Sequence, residues 1–167
     1  MQWGKRKKGN LVHLFFLNTF TVYSPMCGEV IALDDVDDSV FKNRMLGNGV
    51  AIKPTSGKVY APFDGKIVHV ADTLHSVIIR SKRKLTFMIH MGIDTVYLKG
   101  EGFKCFVTEG QHIKRGDLIF EMDLNKIIEC GKQTVTPVII MDKKTDKLFI
   151  TDKKNVTKDD KLFEIKL

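Results

Sequence analysis

The sequence predicts an all-β protein, an antiparallel β sandwich or barrel-like fold with one or two short helical segments. Two observations lead to this class. Short runs of β-branched and aromatic residues recur along the chain, and glycine, proline and asparagine, which favour turns, separate them. Helical spacing of apolar residues covers only brief stretches. Frequent short strands with little helix are typical of antiparallel sandwiches and barrels.

The chain is long enough for one domain. It has 167 residues, 43% of them hydrophobic, which suffices to bury a core without disulfides. We assign residues 21–167 to this domain and residues 1–20 to a leader, in which a basic start precedes an apolar run, Leu11–Phe20. That run is too short to span a bilayer. The leader is either a disordered segment before an edge strand or a segment on a membrane surface, with Trp3 and the lysines at anionic headgroups.

Composition excludes several classes of function. The three cysteines, Cys27, Cys105 and Cys130, are odd in number and form no C-x-x-C pair. A disulfide framework or structural zinc site is therefore not expected, and a reducing cytoplasmic location fits. The net charge is +7, but the basic residues are dispersed and no nucleic-acid-binding motif accompanies them. We therefore expect no nucleic-acid partner.

In the first third of the chain, turn residues separate short β runs. Pro25 and Gly28 mark a turn between two strands. The best helical candidate is Asp34–Leu46, with Asp37 or Asp38 as its N-cap. Gly47, Asn48 and Gly49 follow it directly.

The middle of the chain predicts a β-hairpin. One run spans Ala71–Ile79 and another Phe87–Val96, with the polar turn Ser81–Lys84 between them. Beyond it, Val107–Asp123 predicts two strands joined by turns, and Leu124–Gly131 predicts one or two helical turns. Three more strand candidates complete the chain, in T-P-V-I-I-M-D, K-L-F-I-T and K-L-F-E-I-K-L.

The candidate chemistry lies in the hairpin. His90 stands in an apolar strand, with Gly92 and Asp94 just after it, and His75 stands in the neighbouring run. Opposed side chains of antiparallel strands lie about 5 Å apart, so the two imidazoles could face each other on one sheet. Such a pair suits nucleophilic or metal chemistry. The alternative is a core histidine bonded to a backbone carbonyl.

Five motifs, in order, carry a resemblance to a known family. They are G-N-G-V-A-I-K-P, A-P-F-D-G-K-I, T-L-H, I-H-M-G-I-D-T-V and L-K-G-E-G-F. From about Ser24 to Leu167 the chain resembles the glucose-type enzyme IIA component of the bacterial phosphoenolpyruvate:sugar phosphotransferase system. That family has an antiparallel β sandwich fold.

The resemblance implies phosphoryl transfer. His90 would be phosphorylated on Nε2 by HPr, the histidine-containing phosphocarrier, and the group would pass to a cysteine on the IIB domain of a sugar permease. His75 matches the second active-site histidine, which onward transfer needs, and Thr73 a hydroxyl that helps to hold the site. The backbone near Gly92 is expected to fix the tautomer of His90. No cofactor is expected to be required.

The resemblance also implies a docking surface. Asp38 and Asp94 match acids that flank the histidines and would contact a basic partner. An apolar collar would exclude water and dock partners; its residues are Val40, Phe41, Met45, Leu46, Met88 and Val96. The sequence departs from the family at Ser76, where alanine is usual. Family members also act as regulators, so regulatory partners are a further expectation.

Two alternatives stay open. In a zinc-dependent hydrolase, His75 and His90 would bind the metal, but the H-x-H pair of cell-wall zinc endopeptidases is missing. In the enzyme IIA family that the chain resembles, the two matching histidines can bind zinc at a partner interface. The resemblance therefore also makes His75 and His90 candidate metal ligands at such an interface. The second alternative is a non-catalytic regulatory binding module on the same fold.

Overall fold

A computed structural model describes residues 19–142 and 147–167. Within these ranges every strand pairing is antiparallel. One sheet of eight strands and two sheets of three strands make up the fold. The predicted antiparallel β sandwich is confirmed. The expectations for the leader fall almost wholly on residues 1–18, outside the described ranges.

The large sheet carries the predicted hairpin at its centre. From one edge to the other its strands are β13 (Asn155–Val156), β2 (Gly28–Ala32), β3 (Asn48–Pro54), β11 (Thr136–Ile140), β7 (Thr86–His90), β6 (Ser76–Ser81), β5 (Gly65–Val70) and β9 (His112–Ile113). Because β7 pairs with both β6 and β11, it is an interior strand.

The two smaller sheets use strands from distant parts of the chain. The first is ordered β1 (Thr19–Tyr23), β14 (Lys161–Lys166) and β12 (Leu148–Ile150). The second is ordered β4 (Lys58–Tyr60), β10 (Leu118–Met122) and β8 (Phe103–Cys105).

In the described residues helix is confined to short segments, and one prediction needs correction. The candidate over Asp34–Leu46 contains only a 3-10 turn at Leu33–Asp35 and the four-residue helix α1, Ser39–Lys42. The chain is extended between them at Val36, and Arg44 has a left-handed φ of 53°, which a continuing helix does not allow. Two other segments are the predicted helix α2, Leu124–Glu129, and a 3-10 turn at Thr95–Leu98.

The hairpin also differs from prediction at its start. Strand β6 begins at Ser76, whereas the sequence favoured a strand from Ala71. A turn precedes it, closed by a 2.8 Å hydrogen bond from the Leu74 N–H to the Ala71 carbonyl. Leu74 has a left-handed φ of 56°, rare for a residue with a branched side chain. His75 therefore lies between this turn and the first residue of β6.

The main core lies between the large sheet and the two smaller ones. Phe87 of β7 is fully buried at its centre. Its ring centroid lies 5.8 Å from that of Phe20, 4.7 Å from that of Phe63 and 6.5 Å from that of Phe163. These rings join β7 to the first small sheet through β1 and β14. The inward face of the strand that carries His90 is thus fixed by aromatic packing.

A second apolar cluster includes residues of the large sheet that do not belong to the main core. Ala51 of β3 and Ile139 of β11 are buried beneath Leu33, Val36 and Phe41. The segment that holds Asp38 is thereby packed onto the sheet. Since Ile93 and Met88 join the same cluster, this packing also fixes the segment relative to the end of β7.

We expect Phe87→Ala to lower the free energy of unfolding by about 3–5 kcal/mol, because it empties the centre of the aromatic cluster. Phe149→Ala is the matched control. Phe149 is 48% exposed on the edge strand β12, so its removal should cost about 0.5 kcal/mol or less. Urea unfolding followed by circular dichroism measures both. Equal losses would contradict the assignment of the core.

Candidate functional site

His90 ends β7 on the face that points away from the main core. Phe87 and Ile89 are buried, whereas Thr86, Met88 and His90 are half-buried. This alternation follows the two-residue period of a strand. The edge of the Phe41 ring packs against the imidazole, with the ring centroids 4.9 Å apart. His90 therefore stands at the surface with apolar support on one side.

A backbone carbonyl selects the tautomer of His90. Nδ1 lies 2.8 Å from the Gly92 carbonyl oxygen. Because a carbonyl only accepts hydrogen bonds, Nδ1 must carry the proton and donate it. In the neutral ring Nε2 then holds the free lone pair. The sequence-based expectation that the Gly92 region supplies this carbonyl agrees with the structure.

The turn that supplies this carbonyl requires glycine. Gly92 has a φ of +83°, and a Cβ there would lie 2.6 Å from the Gln133 carbonyl oxygen and 2.5 Å from Thr95 Cγ2. Ile93 N–H donates to the same Gln133 oxygen at 2.9 Å, and the buried Thr95 hydroxyl donates to the Met91 carbonyl at 2.7 Å. The neighbouring chain thus holds the turn on both sides.

His75 reaches His90 from the turn before β6. The two ring centroids lie 5.0 Å apart and the ring planes are inclined at 72°. The His75 carbonyl accepts a 2.7 Å hydrogen bond from the Met91 N–H, which fixes the backbone. The Thr73 hydroxyl lies 2.5 Å from His75 Nδ1 and orients the ring. The residue directly opposite His90, however, is Ser76.

The surroundings favour neutral imidazoles. Burial lowers the pKa of His90 below its ordinary value of 6.5, and the hydrogen bond to Gly92 and the carboxylates of Asp38 and Asp94 oppose this effect. Burial also lowers the pKa of His75, and the neighbouring His90 adds to the lowering. At neutral pH both rings are thus predominantly uncharged, and the Nε2 lone pair of His90 is available.

The two acids occupy defined positions near the pair. Asp38 is the N-cap of α1, and its carboxylate accepts hydrogen bonds from the N–H groups of Val40 (2.8 Å) and Phe41 (3.3 Å). Of the two caps that the sequence allows, the structure selects this one. Asp94 has a left-handed φ of 59° just after the Gly92 turn. Both carboxylates act on the charge of His90.

The proposed collar residues divide by exposure. Met45 is 68% exposed, Val96 41% and Leu46 38%. Phe41 is only 4% exposed and packs against His90, so it supports the surface from below. Sequence reasoning missed Tyr97, which is 71% exposed beside Val96. Its position directly after Val96, shortly before the turn residues Lys99 and Gly100, was the available signal.

Val40 and Met88, the other two collar residues, are half-buried. The remaining described histidines lie outside the pair. His69 pairs with Glu109 at 2.6 Å, and His112 is exposed on β9.

The expected metal ligands, His75 and His90, lie side by side, with ring centroids 5.0 Å apart. No three His, Cys, Asp or Glu side chains in residues 19–142 and 147–167 come together as a metal site. A zinc hydrolase of the kind considered above therefore has no support from these residues. Zinc held by His75 and His90 with further ligands from a partner stays a prediction.

Comparison with known proteins decides the family. Residues 20–147 match the family described as phosphoenolpyruvate-dependent sugar phosphotransferase system, EIIA 1. The chain belongs to this family. The solved structure of glucose permease IIA from Mycoplasma capricolum is similar as well, with a TM-score of 0.85 and 36% sequence identity. The match covers 90% of this chain and 97% of that chain.

The protein is thus an EIIA phosphocarrier of the sugar phosphotransferase system. Family and structural likeness agree with the resemblance drawn from the sequence motifs. Among the described residues of this EIIA protein, no helix is long and apolar enough to cross a membrane.

We expect His90 to have a pKa below 6.5 when its titration is monitored by NMR of the imidazole Cε1 proton. Asp38→Asn and Asp94→Asn should each lower this pKa further, because each removes a charge that favours the imidazolium. Asparagine still caps a helix, so Asp38→Asn keeps α1. A higher pKa in either variant would contradict the assigned electrostatics.

The same shift has a consequence for stability. The folded state binds a proton at His90 less readily than the unfolded chain does. Above pH 6.5 the imidazole is neutral in both states, and His90 does not reduce the free energy of unfolding. As pH falls from 6.5 to the folded-state pKa, the unfolded chain binds the proton first, and the free energy of unfolding decreases.

Proposed function

We propose that Nε2 of His90 accepts the phosphoryl group from HPr. The observation that carries this assignment is the 2.8 Å hydrogen bond from His90 Nδ1 to the Gly92 carbonyl. It leaves Nε2 as the nucleophile, and burial keeps the ring neutral. Among the described residues, His69 pairs with the Glu109 carboxylate instead, and His112 is exposed on β9.

The transfer exchanges one phosphorus–nitrogen bond for another. The Nε2 lone pair of His90 attacks phosphorus while the bond to the nitrogen of the HPr phosphohistidine breaks, and that nitrogen keeps the bonding electron pair. The proton on Nδ1 stays in place. The developing positive charge on the His90 ring is stabilised by the Gly92 carbonyl and by the carboxylates of Asp38 and Asp94.

We assign onward transfer to His75 and Thr73. A cysteine thiolate of a IIB domain attacks phosphorus, a phosphorus–sulfur bond forms, and the bond to His90 Nε2 breaks with its electron pair returning to the ring. His75 stands beside the group, with its ring 5.0 Å from that of His90. Its pKa is lowered in the protein without a phosphoryl group, but negative phosphoryl oxygens beside it favour the imidazolium, which can balance their charge. Thr73 fixes its orientation through Nδ1.

The surface around the histidines supports docking of two protein partners in turn. Met45, Leu46 and Val96 are exposed apolar side chains, and Asp38 and Asp94 supply negative charge for a basic partner. Dry contact over this surface protects the labile phosphorus–nitrogen bond from water. We place this exchange in the cytoplasm, and we assign it to a domain that begins with β1, so Thr19 and Phe20 belong to the domain and not to the leader.

Intact-mass measurement tests the assignment. With phosphoenolpyruvate, enzyme I and HPr, wild type should gain one acid-labile phosphoryl group and His90→Ala none. His75→Ala should still gain the group but pass it to a IIB domain about 100-fold more slowly, since a charge-stabilising group is lost. His112→Ala, an exposed histidine away from the pair, is the control and should match wild type. Phosphorylation of His90→Ala would overturn the proposal.

Docking has a separate test. Met45→Asp should lower kcat/KM for phosphorylation by HPr about tenfold, because it places a carboxylate where the interface excludes water. The pKa of His90 is measured alongside to show that the site is intact. Phe149→Asp introduces the same charge at an exposed phenylalanine of β12 and should leave the rate unchanged. An equal loss in both variants would remove the case for a docking surface at Met45.

A further inference from the structure

A serine stands directly across from the phosphoryl acceptor. In the pairing of β6 with β7, Ser76 is the partner of His90. The inward neighbours Val77 and Ile89 are fully buried in the main core. Since side chains alternate along both strands, Ser76 and His90 share the opposite face of the sheet.

The hydrogen bonds place this pair in the closer of the two antiparallel arrangements. Met91 N–H donates to the His75 carbonyl at 2.7 Å, so His75 and Met91 form the hydrogen-bonded pair. The Ser76 carbonyl instead accepts from the Ala71 N–H at 3.0 Å. Ser76 and His90 are therefore a non-hydrogen-bonded pair, whose Cα atoms lie about 4.5 Å apart with side chains close together.

The Ser76 hydroxyl has no partner within the described ranges. Other hydroxyls of the site are engaged, Thr73 with His75 and Thr95 with the Met91 carbonyl. Ser76 is 7% exposed. No fully enclosed polar side-chain atom among the described residues lacks a hydrogen bond, so the unpaired Ser76 oxygen keeps a narrow opening to solvent. A nearly buried hydroxyl without a protein partner is a donor ready for another group.

We propose that the Ser76 hydroxyl donates a hydrogen bond to an oxygen of the phosphoryl group on His90 and stabilises the phosphorylated protein. The inference rests on the proposed function, in which His90 carries that group. Phosphoryl oxygens accept short, strong hydrogen bonds from hydroxyls because they are negatively charged. Ser76 thereby acts on the reacting group itself, and its hydroxyl, which has no partner among residues 19–142 and 147–167, gains one on phosphorylation.

The equilibrium between phosphorylated HPr and this protein measures the effect. Ser76→Ala removes one oxygen and should lower the equilibrium constant for phosphorylation of His90 about tenfold, the usual effect of losing a hydrogen bond to a charged group. Ser76→Thr keeps the hydroxyl and should stay within about twofold of wild type. The ³¹P resonance of the phosphohistidine should move in Ser76→Ala, which a change in stability alone would not cause.

Ser81→Ala is the matched control on the same strand. Ser81 is also buried, and its hydroxyl accepts a 3.2 Å hydrogen bond from the Leu85 N–H in the hairpin turn. This variant should lower thermal stability while leaving the equilibrium constant and the ³¹P resonance unchanged.

The outcomes separate the two proposals. If wild type is phosphorylated on His90 but Ser76→Ala matches it in equilibrium constant and ³¹P shift, the role of Ser76 is refuted and that of His90 stands. If mass spectrometry finds no phosphoryl group on His90 of wild type, the proposed function itself fails. If Ser81→Ala reproduces both changes of Ser76→Ala, the effect is not local to His90, and the hydrogen bond is refuted.

Discussion

The register between β6 and β7 is the constraint on which the site depends. Val77 and Ile89 face the main core in this register, and Ser76 and His90 face outward. A slip of one residue would turn His90 into the aromatic cluster and bring Ile89 to the surface. Burial of Phe87 among three other phenylalanines makes such a slip costly. The position of His90 is therefore fixed by the opposite side of the sheet.

The site combines this rigid strand with three loops held by other interactions. The turn after β7 depends on Gly92 and on the Gln133 carbonyl. The segment before β3 packs onto the sheet through Leu33, Val36 and Phe41. Arg44 and Asp34, near the two ends of this segment, form an ion pair with nitrogen–oxygen distances of 2.6 and 3.1 Å. The third loop, which carries His75, is fastened to Met91. Each loop thus has its own attachment near the end of β7.

Much of this arrangement could be predicted from local sequence patterns. Alternation and turn residues gave the antiparallel class and the hairpin, and the motifs around His75 and His90 gave the pair. The left-handed conformation of Leu74 could not be predicted, because a leucine adopts it only when tertiary contacts hold it there. The strand was consequently expected too early, and the position of Ser76 opposite His90 followed only from the structure. The length of the helix that follows Asp38 was overestimated, because the helix has only one turn and Arg44, just after it, has a left-handed φ.

The hydrogen bond between His90 and the Gly92 carbonyl also bears on which isomer of phosphohistidine the proposed acceptor would form. An imidazole has two nitrogens that can carry phosphorus, and free histidine yields both products. In His90, Nδ1 carries a proton and is covered by a carbonyl oxygen at 2.8 Å, so the proposed transfer would give the Nε2 isomer. Under that proposal, successive partners would meet phosphorus on the same bond axis, and one approach geometry would serve both donation and removal.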